Sequence, residues 1–244
     1  MTPNECLSYW LIEELVAQGI TQFCISPGSR STPLTVAAAR HPQANTKIFL
    51  DERAAAYFAL GWARATDQAA VLICTSGTAG ANYYPAIIEA SVEHLPLLAI
   101  TADRPPELQQ TGANQTVDQN RLFGNHSRWF YDPGCPDHTL QESTVKSWAA
   151  QAILRSAHPD PGPVHLNIPF REPFLSNEQH AYPKVSSPNF QLSIPRQKLP
   201  KGDLQALHQI LQADLGLVTL GELPVRAHHS VGNFLEKLNW PVFA

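Results

Sequence analysis

Apolar positions along the chain fall into two patterns. Leu7, Leu11, Leu15 and Val16 recur at helical spacing, which predicts an amphipathic helix over residues 5–19 ended by Gly19. Phe23-Cys24-Ile25 is an unbroken apolar run that predicts a strand, and it leads into the turn Ser26-Pro27-Gly28-Ser29-Arg30-Ser31. Thr32-Pro33 then opens an Ala-rich helix to about Arg40, with Pro33 in the first turn, where a missing N–H costs nothing. Ile48-Phe49-Leu50 predicts the next strand, and a helix follows from about Glu52 to Ala65. Val71-Leu72-Ile73-Cys74 predicts a third strand, ahead of a Gly- and Ser-rich turn over 75–80 and a helix to about His94; Leu97-Leu98-Ala99-Ile100 predicts a fourth. Strands alternating with helices of this length specify an α/β fold with a parallel sheet and right-handed crossovers. Each turn after a strand is rich in Gly, Ser, Thr or acid, so hydrogen-bonding groups gather along one rim.

Residues 103–138 have no clear periodicity and carry many Pro, Asn, Gln and aromatic residues, so an irregular region is expected there. Loops of that length in compact domains serve a function or pack on another chain. A helix over about 140–157 and the strand Val164-His165-Leu166-Asn167-Ile168 complete a unit over 1–175. Residues 176–200 read as a polar linker, within a stretch interrupted by Pro173, Pro183, Pro188, Pro195 and Pro200. From 201 to 244 the pattern restarts: a helix over 203–212, a strand at 217–220, a helix over 231–238 and a strand beginning at Pro241. Roughly 40 residues bury too little surface to be stable alone. The expectation is the truncated beginning of a second α/β domain, and an N-terminal piece of something longer.

Composition narrows the partners. With 43% hydrophobic residues the core can be large, while 16% charged is low for a surface that stands alone in water. A net charge of −4 argues against nucleic acid, because phosphate binding needs a basic face. The first ten residues lack a basic region followed by an apolar core, so no secretory signal is expected. No run of eighteen apolar residues exists, so no membrane span is expected either. Cys6, Cys24, Cys74 and Cys135 have no CxxC spacing, and Cys24 and Cys74 fall inside apolar runs. Reduced thiols in a cytoplasmic protein follow. Ten histidines without metal-ligand spacing are expected to be exposed or singly hydrogen-bonded, and no metal site is predicted.

The rim carries the candidate chemistry. Asp51 suits an N-cap, which puts Glu52 in the first helical turn beside the carboxyl edge of the sheet, where α/β proteins bind ligands. Pro27-Gly28-Ser29-Arg30-Ser31 places backbone N–H groups, hydroxyls and a guanidinium at a helix start, an arrangement that suits an anion. Ser76-Gly77-Thr78-Ala79-Gly80 is a similar turn without a cation. Arg104 leaves the fourth strand on a mount stiffened by Pro105 and Pro106, and Asn114-Gln115 adds two amides. Each of these alone is as readily structural. Together they put one acid, two arginines, hydroxyls and amides on one edge, which suits a small anion. Neither GxGxxG nor GxxxxGK[ST] is present, so dinucleotide and P-loop readings lose support.

The segments ISPGSRSTPL, FLDERAAAYFALG, CTSGTAGANYYPAIIEA, ITADRPPEL and GANQ resemble the N-terminal part of the SEPHCHC synthases. These thiamine-diphosphate enzymes make 2-succinyl-5-enolpyruvyl-6-hydroxy-3-cyclohexene-1-carboxylate in menaquinone biosynthesis. The resemblance covers about residues 5–175 and continues loosely to the end. It implies a doubly wound pyrimidine-binding domain. It implies that Glu52 bonds N1′ of the cofactor's aminopyrimidine and that Thr78 is a second cofactor contact. Shielding from water would help Glu52 share that proton. Ser29, Arg30, Arg104, Asn114 and Gln115 match substrate-contacting positions, and the substrates would be 2-oxoglutarate and isochorismate. Arg53 reads as a surface or intersubunit ion pair.

The family holds Mg²⁺ and the diphosphate with a Gly-Asp-Gly segment on a third domain. Here Gly202-Asp203 is followed by Leu204, so the resemblance implies a metal site outside this chain, an active site shared between subunits of a homo-oligomer, and no turnover by these 244 residues alone. A non-catalytic pyrimidine-domain binding protein remains open, as does another thiamine-diphosphate enzyme such as an acetolactate-synthase relative. The latter accounts for Glu52 but not for PGSRSTPL and TADRPPEL.

Overall fold

The structure is a computed structural model that describes residues 1–177, 190–193, 198–212, 215–238 and 240–244. The linker prolines Pro183, Pro188 and Pro195 lie outside the described residues. Helix α1 (Pro3–Ala17) starts at a capping box, in which Thr2 Oγ1 accepts from the Glu5 N–H and the Glu5 carboxylate accepts from the Thr2 N–H. It is followed by β1 (Gln22–Ile25), α2 (Thr32–Arg40), β2 (Asn45–Ile48), α3 (Glu52–Thr66), β3 (Ala70–Cys74), α4 (Tyr84–Val92) and β4 (Leu97–Asp103). Then come β5 (Trp129–Tyr131), α5 (Glu142–Ala157) and β6 (Pro163–Pro169). These six strands form one parallel sheet in the order β2-β1-β3-β4-β6-β5. Beyond it lie α6 (Lys201–Ile210), β7 (Val218–Thr219), α7 (Val225–Leu238) and β8 (Val242–Phe243), with β7 and β8 paired in parallel.

Side-chain alternation splits the core in two. On one face Phe23, Ile25, Val71, Ile73, Leu98, Ile100, Leu166 and Ile168 pack against α1, α2 and α5. On the other, Cys24, Leu72, Cys74, Leu97 and Ala99 meet α3 and α4. Helix α3 approaches closely because its inward stripe is Ala55, Ala56, Ala59 and Ala63. Burial on both faces explains why β1, β3, β4 and β6 are near-continuous apolar runs. At about 1.5–3 kcal/mol for each fully buried Val, Leu, Ile or Phe side chain, this double core is the main source of stability.

Several elements differ from the sequence reading. Strand β2 ends at Ile48, three residues before the cap, and lies on the edge of the sheet; Leu50 is 94% exposed. Only the Phe49 N–H still bonds into β1, at 2.9 Å to the Ile25 carbonyl. An apolar triplet at an edge therefore imitated a buried strand. Strand β4 runs on to Asp103, because β6 pairs with it that far. The irregular region contains β5, three aromatic residues whose pairing with β6 has no periodic signature. Helix α7 begins at Val225, six residues before the expected start. The histidine expectation fails at His41, which is buried against Glu13 at 3.1 Å and also accepts from the Gln43 N–H.

Cys24 and Cys74 are free and fully buried, as expected. Burial pushes their thiols up to about 11 and about 12 respectively. Maleimide at neutral pH should leave both unmodified in the folded chain and label them only after urea unfolding, as read by peptide mass mapping.

Candidate functional site

The chain steps outward from β1 to β2, then crosses back to β3 on the other side of β1. The segments leaving β1 and β3 therefore diverge, and the crevice at such a switch point lies outside the strand carboxyl ends. A cavity of about 580 Å³ occupies that place, lined by Pro27, Gly28, Ser29, Arg30, Glu52, Thr75, Arg104, Gln115, Glu172 and Phe174. Its walls follow β1, β2, β3, β4 and β6, five strands unrelated in sequence but parallel in space. The turns after β1 and β3 touch. A Cβ on Gly28 would collide with the Thr75 side chain, so only glycine fits there.

Glu52 reaches the cavity from the first turn of α3. Asp51 is the N-cap, its Oδ1 accepting from the Ala54 N–H at 2.9 Å, so the helix start is satisfied without Glu52. The Glu52 carboxylate is half-buried and has no hydrogen-bond or ion-pair partner among the described residues.

Arg30 is only 4% exposed. Its Nη1 donates to the Phe170 carbonyl at 2.7 Å, its guanidinium lies 4.7 Å from the centre of the Phe174 ring, and Nη2 stands 3.7 Å from Glu172. Its Nε–H is buried and has no partner among the described residues, as is true of Arg104. Burial lowers the Arg30 pKa from its ordinary value, and the nearby Arg104 charge lowers it further. Two guanidiniums with unspent donors beside one cavity favour an incoming anion.

Ser29, Arg30, Glu52, Arg104 and Gln115 thus meet in one cavity. The Gln115 amide is already engaged, donating to the Ser76 carbonyl at 3.0 Å, while Ser76 Oγ donates back to the Gln115 carbonyl at 3.2 Å. Thr78 and Asn114 do not line the cavity; both are exposed on neighbouring turns.

Sequence reasoning missed two features. The first is the wall formed by Glu172 and Phe174, between the last strand and the expected linker, where no residue was singled out. Its signal was available, since any residue just past a parallel strand lies on the same rim. The second is a buried polar network beneath the rim. The Asn167 amide donates to Asp103 at 2.8 Å and to Asp132 at 2.9 Å. Its oxygen accepts from Thr101 Oγ1 and from Gln119 Nε2, each at 2.8 Å. Gln119 Oε1 in turn accepts from the Gly77 N–H at 2.8 Å, and Asp103 Oδ1 accepts from the Arg104 N–H at 2.7 Å. Burial raises the Asp103 pKa, a tendency opposed by the Asn167 bond. The network fixes the turn after β3 and the base of Arg104 to the sheet.

His165 ends this chain. Thr101 Oγ1 spends its proton on Asn167, so it accepts from His165 Nε2–H at 2.8 Å, and the unprotonated Nδ1 faces no partner. The ring lies between Phe123 and Phe130.

The chain is also similar to known proteins. Residues 7–122 match the family described as thiamine pyrophosphate enzyme, N-terminal TPP binding domain. Over its whole length the chain is 45% identical to a 2-succinyl-5-enolpyruvyl-6-hydroxy-3-cyclohexene-1-carboxylate synthase of Chlorobium limicola, and spans 44% of that protein. A synthase of the same name from Haloquadratum walsbyi is 56% identical over 163 residues, 66% of this chain and 26% of the relative. The chain thus spans less than half the length of these curated relatives. Among solved structures, the Rhodococcus jostii RHA1 thiamine diphosphate-dependent 4-hydroxybenzoylformate decarboxylase superposes with a TM-score of 0.76 at 21% identity, covering 97% of this chain and 43% of that one. That likeness bears out the α/β fold, and the synthases bear out the resemblance read from PGSRSTPL and TADRPPEL.

Burial pushes the His165 pKa from 6.5 down to about 3, so acid favours the unfolded chain. The contribution is complete above pH 6.5 and is lost as the pH falls towards 3. Urea unfolding should give a stability gap between pH 7 and pH 5 that is about 2 kcal/mol smaller in His165→Gln than in the native chain. An unchanged gap would mean that the imidazole is protonated when folded.

Proposed function

We propose that this chain is the pyrimidine side of a thiamine-diphosphate active site, and that the whole protein is a SEPHCHC synthase. In this reading it is a cytoplasmic transferase that decarboxylates 2-oxoglutarate and adds the remaining four-carbon unit to isochorismate in menaquinone biosynthesis. The observation that carries it is the Glu52 carboxylate, which has no partner among the described residues and lines the same cavity as Arg30 and Arg104. The pyrimidine-binding domain is placed over residues 1–175, a linker over 176–200 and the start of a middle domain over 201–244. The active site would be shared between subunits of a homo-oligomer.

The donor set suits the cofactor's aminopyrimidine. A carboxyl that caps no helix and pairs with no cation is free to hold or share a proton at N1′. Thiamine diphosphate, when bound, supplies the electron sink for the decarboxylation and the carbon–carbon bond. By the resemblance, the Mg²⁺ and diphosphate contacts belong to a Gly-Asp-Gly segment, which Gly202-Asp203-Leu204 does not match, so this reading assigns them to another part of the protein. Arg30 and Arg104 would hold substrate carboxylates by charge-assisted bonds worth roughly 1.5–3 kcal/mol each. Ser29 and Gln115 line the same wall, whereas Thr78 and Asn114 would need a loop movement to reach a ligand.

In the whole protein, Glu52→Gln should cut product formation on the order of 100-fold or more while leaving the melting temperature unchanged. Near-normal turnover would reduce Glu52 to a helix-start acid. The 244-residue chain assayed alone should form no product. Arg104→Ala should raise the KM of one carboxylate substrate by roughly 10- to 100-fold. Arg30→Ala should do the same but also lower the melting temperature, because Arg30 tethers the Phe170 carbonyl. Unchanged kinetics in both would remove the arginines from the site.

A further inference from the structure

Glu172 is the one acid in the cavity that neither the resemblance nor the fold requires. The segment carrying it is pinned from three sides. Asn4 Nδ2 donates to the Arg171 carbonyl at 2.7 Å and to the Pro173 carbonyl at 3.0 Å. Arg30 Nη1 holds the Phe170 carbonyl, and the Glu5 carboxylate accepts from the Ser176 N–H at 3.2 Å. The backbone is therefore fixed while the Glu172 side chain stays 72% exposed, 3.7 Å from Arg30 Nη2. That separation is an ion pair without a hydrogen bond. Arg30 Nε–H is buried and has no hydrogen-bond partner among the described residues, so Glu172 does not close a two-pronged fork on this guanidinium.

We propose that Glu172 is a built-in counter-carboxylate, which offsets the Arg30 charge before a ligand arrives and is displaced when a substrate carboxylate takes its place at Arg30 Nη2. This deepens the proposed function and rests on its assignment of Arg30 and Arg104 to a dicarboxylate. A buried arginine beside a second arginine is costly without a nearby negative charge. An acid at loose contact offsets that cost yet yields its place, whereas a bidentate partner would block the site. Glu172 thereby weakens anion affinity and makes the cavity selective for ligands whose charge outcompetes its own. It is a specificity-determining residue and takes no part in proton transfer.

The test is calorimetric titration of succinate, a dicarboxylate probe, into the full chain at low ionic strength, comparing the native sequence, Glu172→Gln and Arg104→Ala. Glu172→Gln should bind about two- to fivefold more tightly, the range expected of an exposed ion pair, and the gain should shrink in high salt. Its melting temperature should fall slightly, because the Arg30 charge loses its offset, and tighter binding together with that small loss is a result that a merely structural anchor would not give. Equal or weaker binding in Glu172→Gln, with Arg104→Ala still weakening it, overturns the counter-carboxylate and leaves the dicarboxylate site standing. Binding indifferent to Arg104→Ala, or no binding by any of the three proteins, overturns both.

Discussion

Because all six strands of the sheet run the same way, every segment that leaves a strand emerges on one edge, and the reversal of strand order between β2-β1 and β3 opens a crevice there. Everything proposed for this chain depends on that constraint. Glu52, Arg30, Arg104 and Glu172 are spread over some half of the sequence, yet each follows a strand within a few residues. Parallel register converts that shared position into a shared cavity.

Charge is unusually concentrated in this crevice for a chain of low overall charge. Two guanidiniums share its wall, one of them almost wholly buried, and each has an Nε–H with no partner among the described residues. The fold tolerates this because the surrounding groups are arranged in advance. Phe170 accepts from Arg30, Phe174 stacks on it, and the Asn167 network holds the base of Arg104 against β4 and β6. Preorganised donors of this kind attract an anion without the cost of reorganising the protein when it arrives. The local field, not the net charge of −4, sets what the crevice accepts.

Much of the site was legible because the residues that leave a strand announce themselves. Pro33 sits in the first turn of α2, where its missing N–H costs nothing, and Asp51 caps α3 as an acid before an Ala-rich helix should. Those are local requirements, and local chemistry is visible in a sequence. The apolar triplet at Ile48 misled because an edge strand and a buried one share a composition; only the neighbours decide which it is. Strand β5 left no trace, since three aromatic residues become a strand through pairing with β6 and not through any pattern of their own.

By itself the sequence determined the alternation of strand and helix, the capped start of α3 and the presence of acid, arginine and hydroxyl groups on one rim. These follow from periodicity and turn chemistry, which act over a few residues. Only the tertiary structure decided that Glu172 and Phe174 wall the crevice, that Thr78 and Asn114 stand outside it, and that His165, Thr101, Asn167, Gln119 and Asp103 form one buried network. Partners within that network lie up to 66 residues apart. Contact at that range is set by how the whole sheet assembles, which no window of sequence contains.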